Sequence, residues 1–261
     1  MNIPFYKYQG TGNDFVIIDN RKGEYSHLSK SQVKFICERR FGIGADGLML
    51  LNLKEDYDFE MKYYNADGAE SSMCGNGGRC LVKFAYDLGI RRTTYNFLAV
   101  DGPHEATFGN QGWVRLKMKD VSEMDEDNGN CIVDTGSPHY VKIVNDIKHY
   151  DVFEEGKRIR YSKKFKQEGI NVNFVEVEHK QIYVRTYERG VENETYSCGT
   201  GVTASALACA HNRGFNRVEV ETLGGNLAVE FTKLEDTHFN DIWLCGPATF
   251  VFKGEIELKA S

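Results

Sequence analysis

Alternating apolar and polar residues mark short strands along the chain, and two of these strands lead into similar turns. The runs at about 58–64 and 182–188 alternate as half-buried strands do, and each precedes a Cys-Gly turn. After the first turn, apolar residues recur at helical spacing to about Asp87, and Gly89 ends the pattern. After the second turn, residues 202–210 are small and mostly apolar, which is typical of a buried helix.

Further strands are predicted after each helix. They fall at about 95–100, 104–108 and 113–118, and then at about 217–222, 226–232, 241–244 and 249–252. Strands enclosing a helix, twice along the chain, favour an α+β fold. The acidic, turn-rich segment 121–130 is the best candidate for a linker, and the basic segment 157–166 predicts a short exposed helix.

An internal repeat relates the two halves. The segment around Cys74 recurs around Cys198, a shift of 124 residues, and the strands that precede the two turns show the same shift. Several collinear matches at nearly one shift indicate two pseudo-symmetric lobes. We predict an N-terminal lobe at 1–118, joined by a returning strand at about 250–261, and a C-terminal lobe at 119–249.

Composition and charge favour a globular protein and argue against nucleic-acid-binding, membrane-spanning and secreted classes. With 41% hydrophobic and 27% charged residues among 261, the chain has ordinary globular usage. The net charge of −6 argues against a nucleic acid partner, because phosphate binding needs a basic face. No apolar run approaches the roughly 18 residues of a membrane span, and the start lacks the layout of a signal peptide. Seven cysteines, an odd number, then favour reduced thiols in the cytoplasm.

The two Cys-Gly turns carry the candidate chemistry. A cysteine directly before a helix lies near unpaired backbone N–H groups, which favour a thiolate and can bind a carboxylate. Two such sulfurs on opposite faces of one α-carbon could remove a proton from one side and return one to the other. The cysteine spacing does not match a zinc site. Nothing points to pyridoxal phosphate, and the Gly42-Ile43-Gly44-Ala45-Asp46-Gly47 motif lacks the preceding strand of a dinucleotide site.

Six motifs together resemble the diaminopimelate epimerase family over nearly the whole chain. They are Gly10-Thr11-Gly12-Asn13-Asp14-Phe15, the Gly42–Gly47 motif, Asn65-Ala66-Asp67-Gly68, Cys74-Gly75-Asn76-Gly77-Gly78-Arg79-Cys80, Tyr187-Glu188-Arg189-Gly190 and Ser197-Cys198-Gly199-Thr200-Gly201. The resemblance implies a cofactor-independent epimerase that interconverts LL- and meso-diaminopimelate in lysine and peptidoglycan-precursor synthesis. It also implies two lobes, each a mixed or antiparallel β-barrel around a helix, and a homodimer with a small-molecule substrate.

The resemblance also assigns roles to residues. It makes Cys74 and Cys198 the acid–base pair, with His139 and Glu188 modulating the pKa values of the two thiols. The reacting carboxylate would be bound by the turn residues Gly75, Asn76, Gly199 and Thr200. The remaining substrate contacts would come from Asn13, Asn65, Asn171, Glu188 and Arg189, with the Arg189 guanidinium gripping a distal carboxylate. No metal ligands are implied.

Two positions depart from the family pattern. Ser137 stands where Asn is common, which shortens or removes one substrate contact, and Gly47 stands where some members carry Gln. Both differences bear on selectivity for the distal end of the substrate.

Three alternatives remain at this stage. A proline or hydroxyproline racemase would use the same cysteine pair, although a small ring offers Arg189 no second carboxylate. A redox or thiol-exchange protein would use Cys74 and Cys198 as a dithiol. A binding protein that has lost catalysis is disfavoured because both cysteines are present.

Overall fold

The computed structural model describes residues 1–109, 112–179 and 181–258, and the chain divides into two compact units. The first unit comprises Met1–Leu116 and Pro247–Ser261, and the second comprises Lys117–Gly246. Residues 259–261 of the predicted returning strand lie outside the described part of the chain. The described residues form strands, four α-helices and one 3₁₀ turn, which confirms the α+β class.

The first unit surrounds a long helix with strands. Its elements are β1 (Asn2–Gly10), β2 (Asn13–Asp19), α1 (Lys30–Cys37), β3 (Gly47–Asn52), β4 (Phe59–Asn65), β5 (Glu70–Ser71), α2 (Gly75–Asp87), β6 (Thr94–Ala99), β7 (Gly102–Phe108), β8 (Trp113–Lys117) and β18 (Thr249–Glu257). The pairs β2–β3 and β4–β6 are parallel, whereas β18–β1, β1–β2, β3–β4, β6–β7 and β7–β8 are antiparallel. Helix α2 packs against β1, β2, β3, β7 and β18.

The second unit repeats this order. Its elements are β9 (Asp125–Asp127), β10 (Asn130–Asp134), β11 (Pro138–Ile143), a 3₁₀ turn (Ile147–His149), α3 (Val152–Arg160), β12 (Asn171–Glu178), β13 (Gln181–Glu188), β14 (Asn193–Thr195), α4 (Gly199–Ala208), β15 (Gly214–Thr222), β16 (Gly225–Lys233) and β17 (Phe239–Pro247). Here β11–β12 and β13–β15 are the parallel pairs. Helix α4 packs against β10, β11, β12, β13, β15 and β16.

Each element of the first unit from β1 to β8 therefore has a counterpart between β10 and β17, with the same pairing directions. Helices α2 and α4 occupy equivalent places, and Cys74 and Cys198 are the N-cap residues of these helices. The prediction of two similar lobes, each with strands around a helix, is confirmed.

Two predictions about the second half are wrong in their bounds. The basic helix expected at 157–166 is α3, Val152–Arg160, and begins earlier because the Asp151 side chain accepts a hydrogen bond from the Glu154 backbone N–H. Its acidic first turn and basic last turn suit the helix dipole. The predicted linker at 121–130 contains strand β9, which pairs with β10.

The two central helices have different reasons to be buried. Helix α2 is amphipathic in sequence, yet its first turns are buried because glycines let neighbouring side chains approach: a Cβ at Gly77 would lie 3.3 Å from Met49 Sδ. Helix α4 is buried along nearly its whole length, and its Thr203 and Ser205 hydroxyls donate to carbonyls one turn earlier. Among the helices in the described ranges, none is long and apolar enough to span a bilayer.

Candidate active site

Cys74 lies between β5 and α2, directly before the first residue of the helix. Its backbone is extended, with φ −100° and ψ 130°, and its carbonyl accepts the first helical hydrogen bond from the Gly78 N–H at 2.7 Å. The N–H groups of the first turn, including those of Gly75 and Asn76, have no acceptor within the helix and point toward its start. A half-buried sulfur therefore lies beside a group of donors that favours negative charge.

Asn13, the first residue of β2, reaches this turn from the neighbouring strand. Its Oδ1 lies 3.6 Å from Cys74 Sγ and accepts a hydrogen bond from Asn76 Nδ2 at 3.3 Å. Its Nδ2 donates to Asp46 Oδ2 at 2.6 Å. The first unit thus brings together four predicted site residues: Asn13, Cys74, Gly75 and Asn76. The fifth, Asn65, ends β4 with an exposed side chain opposite Gly47.

Cys198 repeats the placement of Cys74 at the start of α4. Its carbonyl accepts from the Val202 N–H at 2.8 Å, and the residue is 7% exposed. The Thr200 hydroxyl lies 3.5 Å from Cys198 Sγ, and the Thr200 carbonyl is held by the Thr135 hydroxyl at 2.8 Å. Gly199 and Thr200 begin the first turn of α4, the position that Gly75 and Asn76 hold in α2 of the first unit.

Within the second unit, a chain of hydrogen bonds leads from Thr200 to the buried side chains of His139 and Asn173. His139 Nε2 lies 2.9 Å from Thr200 Oγ1, and His139 Nδ1 lies 3.0 Å from Asn173 Nδ2. The Thr186 hydroxyl donates to Asn173 Oδ1, so the Asn173 amide turns its N–H toward the ring. His139 Nδ1 is therefore the acceptor, and Nε2 carries the hydrogen that it donates to Thr200.

His139 is neutral in this setting. Burial, together with the nearby charge of Arg189, lowers the pKa of His139 to about 3 although Asn173 opposes the shift. The ring is fully buried. A neutral imidazole can orient Thr200 but supplies no positive charge to a thiolate, so any effect on Cys198 passes through the Thr200 hydroxyl. That His139 modulates the sulfur remains a prediction.

Asn171 and Arg189 are joined through Ser137. Asn171 Nδ2 donates to Ser137 Oγ at 2.9 Å, and its Oδ1 accepts the Arg189 backbone N–H at 2.8 Å. The Arg189 guanidinium donates to Ser137 Oγ at 3.3 Å and to the Glu168 carbonyl at 3.0 Å. Gly169 makes room for this side chain, since a Cβ there would lie 2.6 Å from Arg189 Cδ. Ser137 therefore orients an exposed guanidinium.

Glu188 ends β13 one residue before Arg189. Its Oε2 accepts a hydrogen bond from the Thr195 hydroxyl at 2.9 Å, which ties the end of β13 to β14. The strand β14 leads directly into the Cys198 turn. Glu188 is thus placed by the same strand pair that delivers the cysteine.

Sequence reasoning did not single out several side chains of these networks, among them Asp46 and Asn173. Asp46 was noted only as part of a glycine motif, although it binds the Asn13 amide. Asn173 is fully buried and binds His139. Its signal was present: Asn171 and Asn173 are two residues apart, on one face of a strand that is otherwise apolar at Val172 and Phe174.

Four of the other cysteines are held as thiols. Burial raises the pKa values of Cys37, Cys80 and Cys131 to about 12 and that of Cys209 to about 11. Cys131 and Cys209 are half-buried, whereas Cys37 and Cys80 are buried. In the described part of the chain, no cluster of three or more His, Cys, Asp or Glu side chains could hold a metal ion.

Solved structures with the same fold match nearly the whole chain. The chain superposes on a phenazine biosynthesis protein of the PhzF family from Bacillus anthracis with a TM-score of 0.78 and 15% identity, covering 99% of this chain and 100% of that one. It also superposes on a probable proline racemase from Agrobacterium radiobacter with a TM-score of 0.69 and 15% identity, covering 98% and 93%. At this level of identity the likeness concerns the fold.

Sequence comparison is more specific. The family model for diaminopimelate epimerase matches residues 5–123 and 131–251. A diaminopimelate epimerase from Flavobacterium psychrophilum is 47% identical over 96% of this chain and 99% of its own length. One from Chlorobaculum tepidum is 44% identical over 95% of this chain and 99% of its own. The chain therefore belongs to the diaminopimelate epimerase family.

Proposed function

We propose that the chain is a cofactor-independent isomerase that interconverts LL- and meso-diaminopimelate, in lysine and peptidoglycan-precursor biosynthesis. The observation that carries the proposal is the pair of cysteines at equivalent helix N-termini of two units with the same topology. Each turn offers a sulfur for proton transfer and N–H donors for a carboxylate. An α-proton next to a carboxylate is a weak acid, and such donors stabilise the charge that develops as it leaves.

The hydrogen-bond partners suggest which sulfur begins protonated. Asn13 Oδ1 can only accept, so its contact with Cys74 Sγ is a hydrogen bond when Cys74 is a thiol. The Thr200 hydroxyl accepts from His139, which leaves its own hydrogen free to point at Cys198 Sγ, an arrangement that suits a thiolate.

In the reaction that starts from this state, Cys198 removes the α-proton and the electrons of the C–H bond move to Cα. The Cys74 thiol then gives its proton to the opposite face of Cα. The configuration inverts, Cys198 is left as a thiol and Cys74 as a thiolate, and the reverse reaction exchanges their roles. Asn76 and Thr200 belong to the first turns that would bind the reacting carboxylate.

Substrate selection would rest on the second unit. Arg189 uses one hydrogen of each terminal nitrogen in bonds to Ser137 and Glu168, and each nitrogen has another to give. A guanidinium fixed in this way suits a second carboxylate. Diaminopimelate has one, whereas proline and hydroxyproline do not, which favours the epimerase over the racemase. The other proposed substrate ligands are Asn13, Asn65, Asn171 and Glu188.

Proton exchange separates the candidate functions. Reduced protein in deuterated water should introduce deuterium at one stereocentre of LL-diaminopimelate and produce the meso form, as followed by NMR. L-Proline and trans-4-hydroxy-L-proline, incubated in parallel, should not exchange. Exchange in either ring compound without exchange in diaminopimelate would support the racemase. Facile formation of a Cys74–Cys198 disulfide with no exchange in any substrate would support the redox protein.

We also propose that the enzyme is a cytoplasmic homodimer. The seven cysteines are free, as in a reducing compartment. Strand β18 exposes Phe250, Val251 and Phe252, an apolar stretch that a second copy could cover. Light scattering should give about twice the 29.7 kDa of one chain. Val251→Asp should give the mass of one chain, and a wild-type protein with that same single-chain mass would exclude the dimer.

A further inference from the structure

Close packing of the chain, and not nucleotide binding, explains the glycines of the Gly42–Gly47 motif. After α1 the chain turns back so tightly that a Cβ at Gly42 would lie 1.9 Å from the Phe35 carbonyl oxygen. Gly44 has φ +82°, which L side chains rarely adopt, and a Cβ there would lie 2.9 Å from Arg39 Cα. At Gly47 a Cβ would meet the Tyr63 ring at 2.5 Å. The glycines therefore let the chain pass from α1 into β3 along a single close path.

This path brings Asp46 beside the start of β2. The Asp46 backbone N–H donates to the Asp14 carbonyl at 2.9 Å, and the Asp46 carbonyl accepts from the Ala66 N–H at 3.1 Å. The backbone of Asp46 is thus fixed at one end to β2 and at the other to the turn that follows β4. The carboxylate is left facing Asn13, the residue whose amide oxygen lies against Cys74.

Arg39 fixes the Asp46 carboxylate. Its guanidinium binds Asp14 at 2.7 and 3.0 Å and Asp46 Oδ1 at 2.7 Å. Lys7 Nζ also pairs with Asp14 at 2.7 Å. Burial would raise the pKa of Asp14, but the hydrogen bonds from Arg39 and Lys7 lower it to about 2. The charged groups around Asn13 are therefore two carboxylates and two cations, which pair with one another.

The Asp46 carboxylate decides which way the Asn13 amide points. A carboxylate only accepts hydrogen bonds, so the Asn13 atom at 2.6 Å from Asp46 Oδ2 must be the nitrogen. The amide oxygen then faces Cys74 Sγ and Asn76 Nδ2. If the amide turned over, N–H would face the sulfur, and the contact would favour a thiolate in place of a thiol.

We propose that Asp46, held by Arg39, is a positioning residue that keeps the Asn13 amide oxygen toward Cys74 and so sets the protonation state in which this sulfur enters the reaction. The proposal deepens the epimerase function above and rests on it for its catalytic consequence. It also gives the Gly42–Gly47 motif a role in this chain.

Asp46→Asn and Asp46→Glu separate orientation from charge. Asn removes the charge and lets both amides turn, whereas Glu keeps the charge but moves the carboxylate away from Asn13. Both variants should lower kcat for diaminopimelate about ten-fold, with KM within about two-fold of wild type. The control is Asp19→Asn, at the other end of β2, which breaks an equivalent pair with Arg21 and should leave kcat unchanged.

Alkylation of Cys74 by iodoacetamide gives a readout that needs no substrate. Peptide mass spectrometry should show Cys74 reacting at least about three-fold faster at pH 7 in both Asp46 variants, because an amide free to turn no longer favours the thiol. Thermal unfolding should change little, because the Asp46 and Arg39 side chains are 43% and 58% exposed and such ion pairs add little stability.

Asp46→Glu is the deciding variant. Wild-type kcat and a wild-type alkylation rate in this variant would overturn the proposal, and a faster rate in Asp46→Asn alone would assign the effect to charge and overturn it as well. If wild-type protein exchanges no α-proton of diaminopimelate, the proposed function fails, and the alkylation rates still judge the role of Asp46.

Discussion

Cys74→Ala and Cys198→Ala should each lower kcat for epimerisation of LL-diaminopimelate by about 10³-fold or more. In the proposed mechanism one sulfur acts as base and the other as acid on opposite faces of Cα, so either substitution would leave one face without a proton carrier. Cys→Ser at either position should lose most turnover as well, because a hydroxyl is a far weaker acid than a thiol. NMR in deuterated water measures both inversion and exchange of the α-proton.

The single-alanine variants should also separate exchange from inversion. The remaining sulfur can remove a proton and return deuterium to the same face, so slow exchange without inversion is expected from one diastereomer only. The preferred diastereomer should differ between the two variants. Cys209→Ala, at the other end of α4, is the control and should keep wild-type turnover. Inversion within ten-fold of wild type in either Cys→Ala variant would rule out the two-sulfur mechanism.

His139 should make the folded state less stable as the pH falls from about 6.5 toward 3. Its pKa is near 6.5 when unfolded and about 3 when folded. Between these values the unfolded chain binds a proton that the folded chain does not, so the free energy of unfolding decreases as the pH falls. Above pH 6.5 the contribution of His139 to the free energy of unfolding is fully present. At pH 4.5 the loss should be about 2–3 kcal/mol, at 1.36 kcal/mol per pKa unit.

Urea unfolding at pH 7.5 and 4.5 tests this for wild type and His139→Gln. Other groups also titrate in this range, so the His139 contribution is the part of the pH dependence that the variant lacks. The variant itself should be less stable at pH 7.5, because Asn173 and Thr200 lose a buried partner. Equal pH dependence in the two proteins would show that His139 is protonated in the folded state.

The sequence predicts the architecture well because each element of the repeat is determined by residues that are close together along the chain. The strand, Cys-Gly turn and helix around Cys74 and Cys198 are each set by neighbouring residues, and the repetition makes the pattern visible. Helix α3 begins before the basic run at 157–166 because the Asp151 cap sets its first residue.

The site networks were harder to predict because they join residues that are distant along the chain. The contact between Asp46 and Asn13 spans 33 residues and depends on the parallel pairing of β2 with β3. The contact between His139 and Asn173 likewise depends on the pairing of β11 with β12. Register between strands is not encoded in the spacing of either motif, so the orientation of these side chains appears only in the folded chain.

The four cysteines with raised pKa values bear on how the enzyme could be inhibited covalently. A thiol with a pKa of about 11 or 12 is ionised in roughly one molecule in ten thousand or fewer at neutral pH. Since electrophilic drugs react with thiolates, Cys37, Cys80, Cys131 and Cys209 are poor targets and consume little of such a compound. A warhead joined to a dicarboxylic amino acid would therefore meet little competition from these four thiols on its way to Cys74 or Cys198.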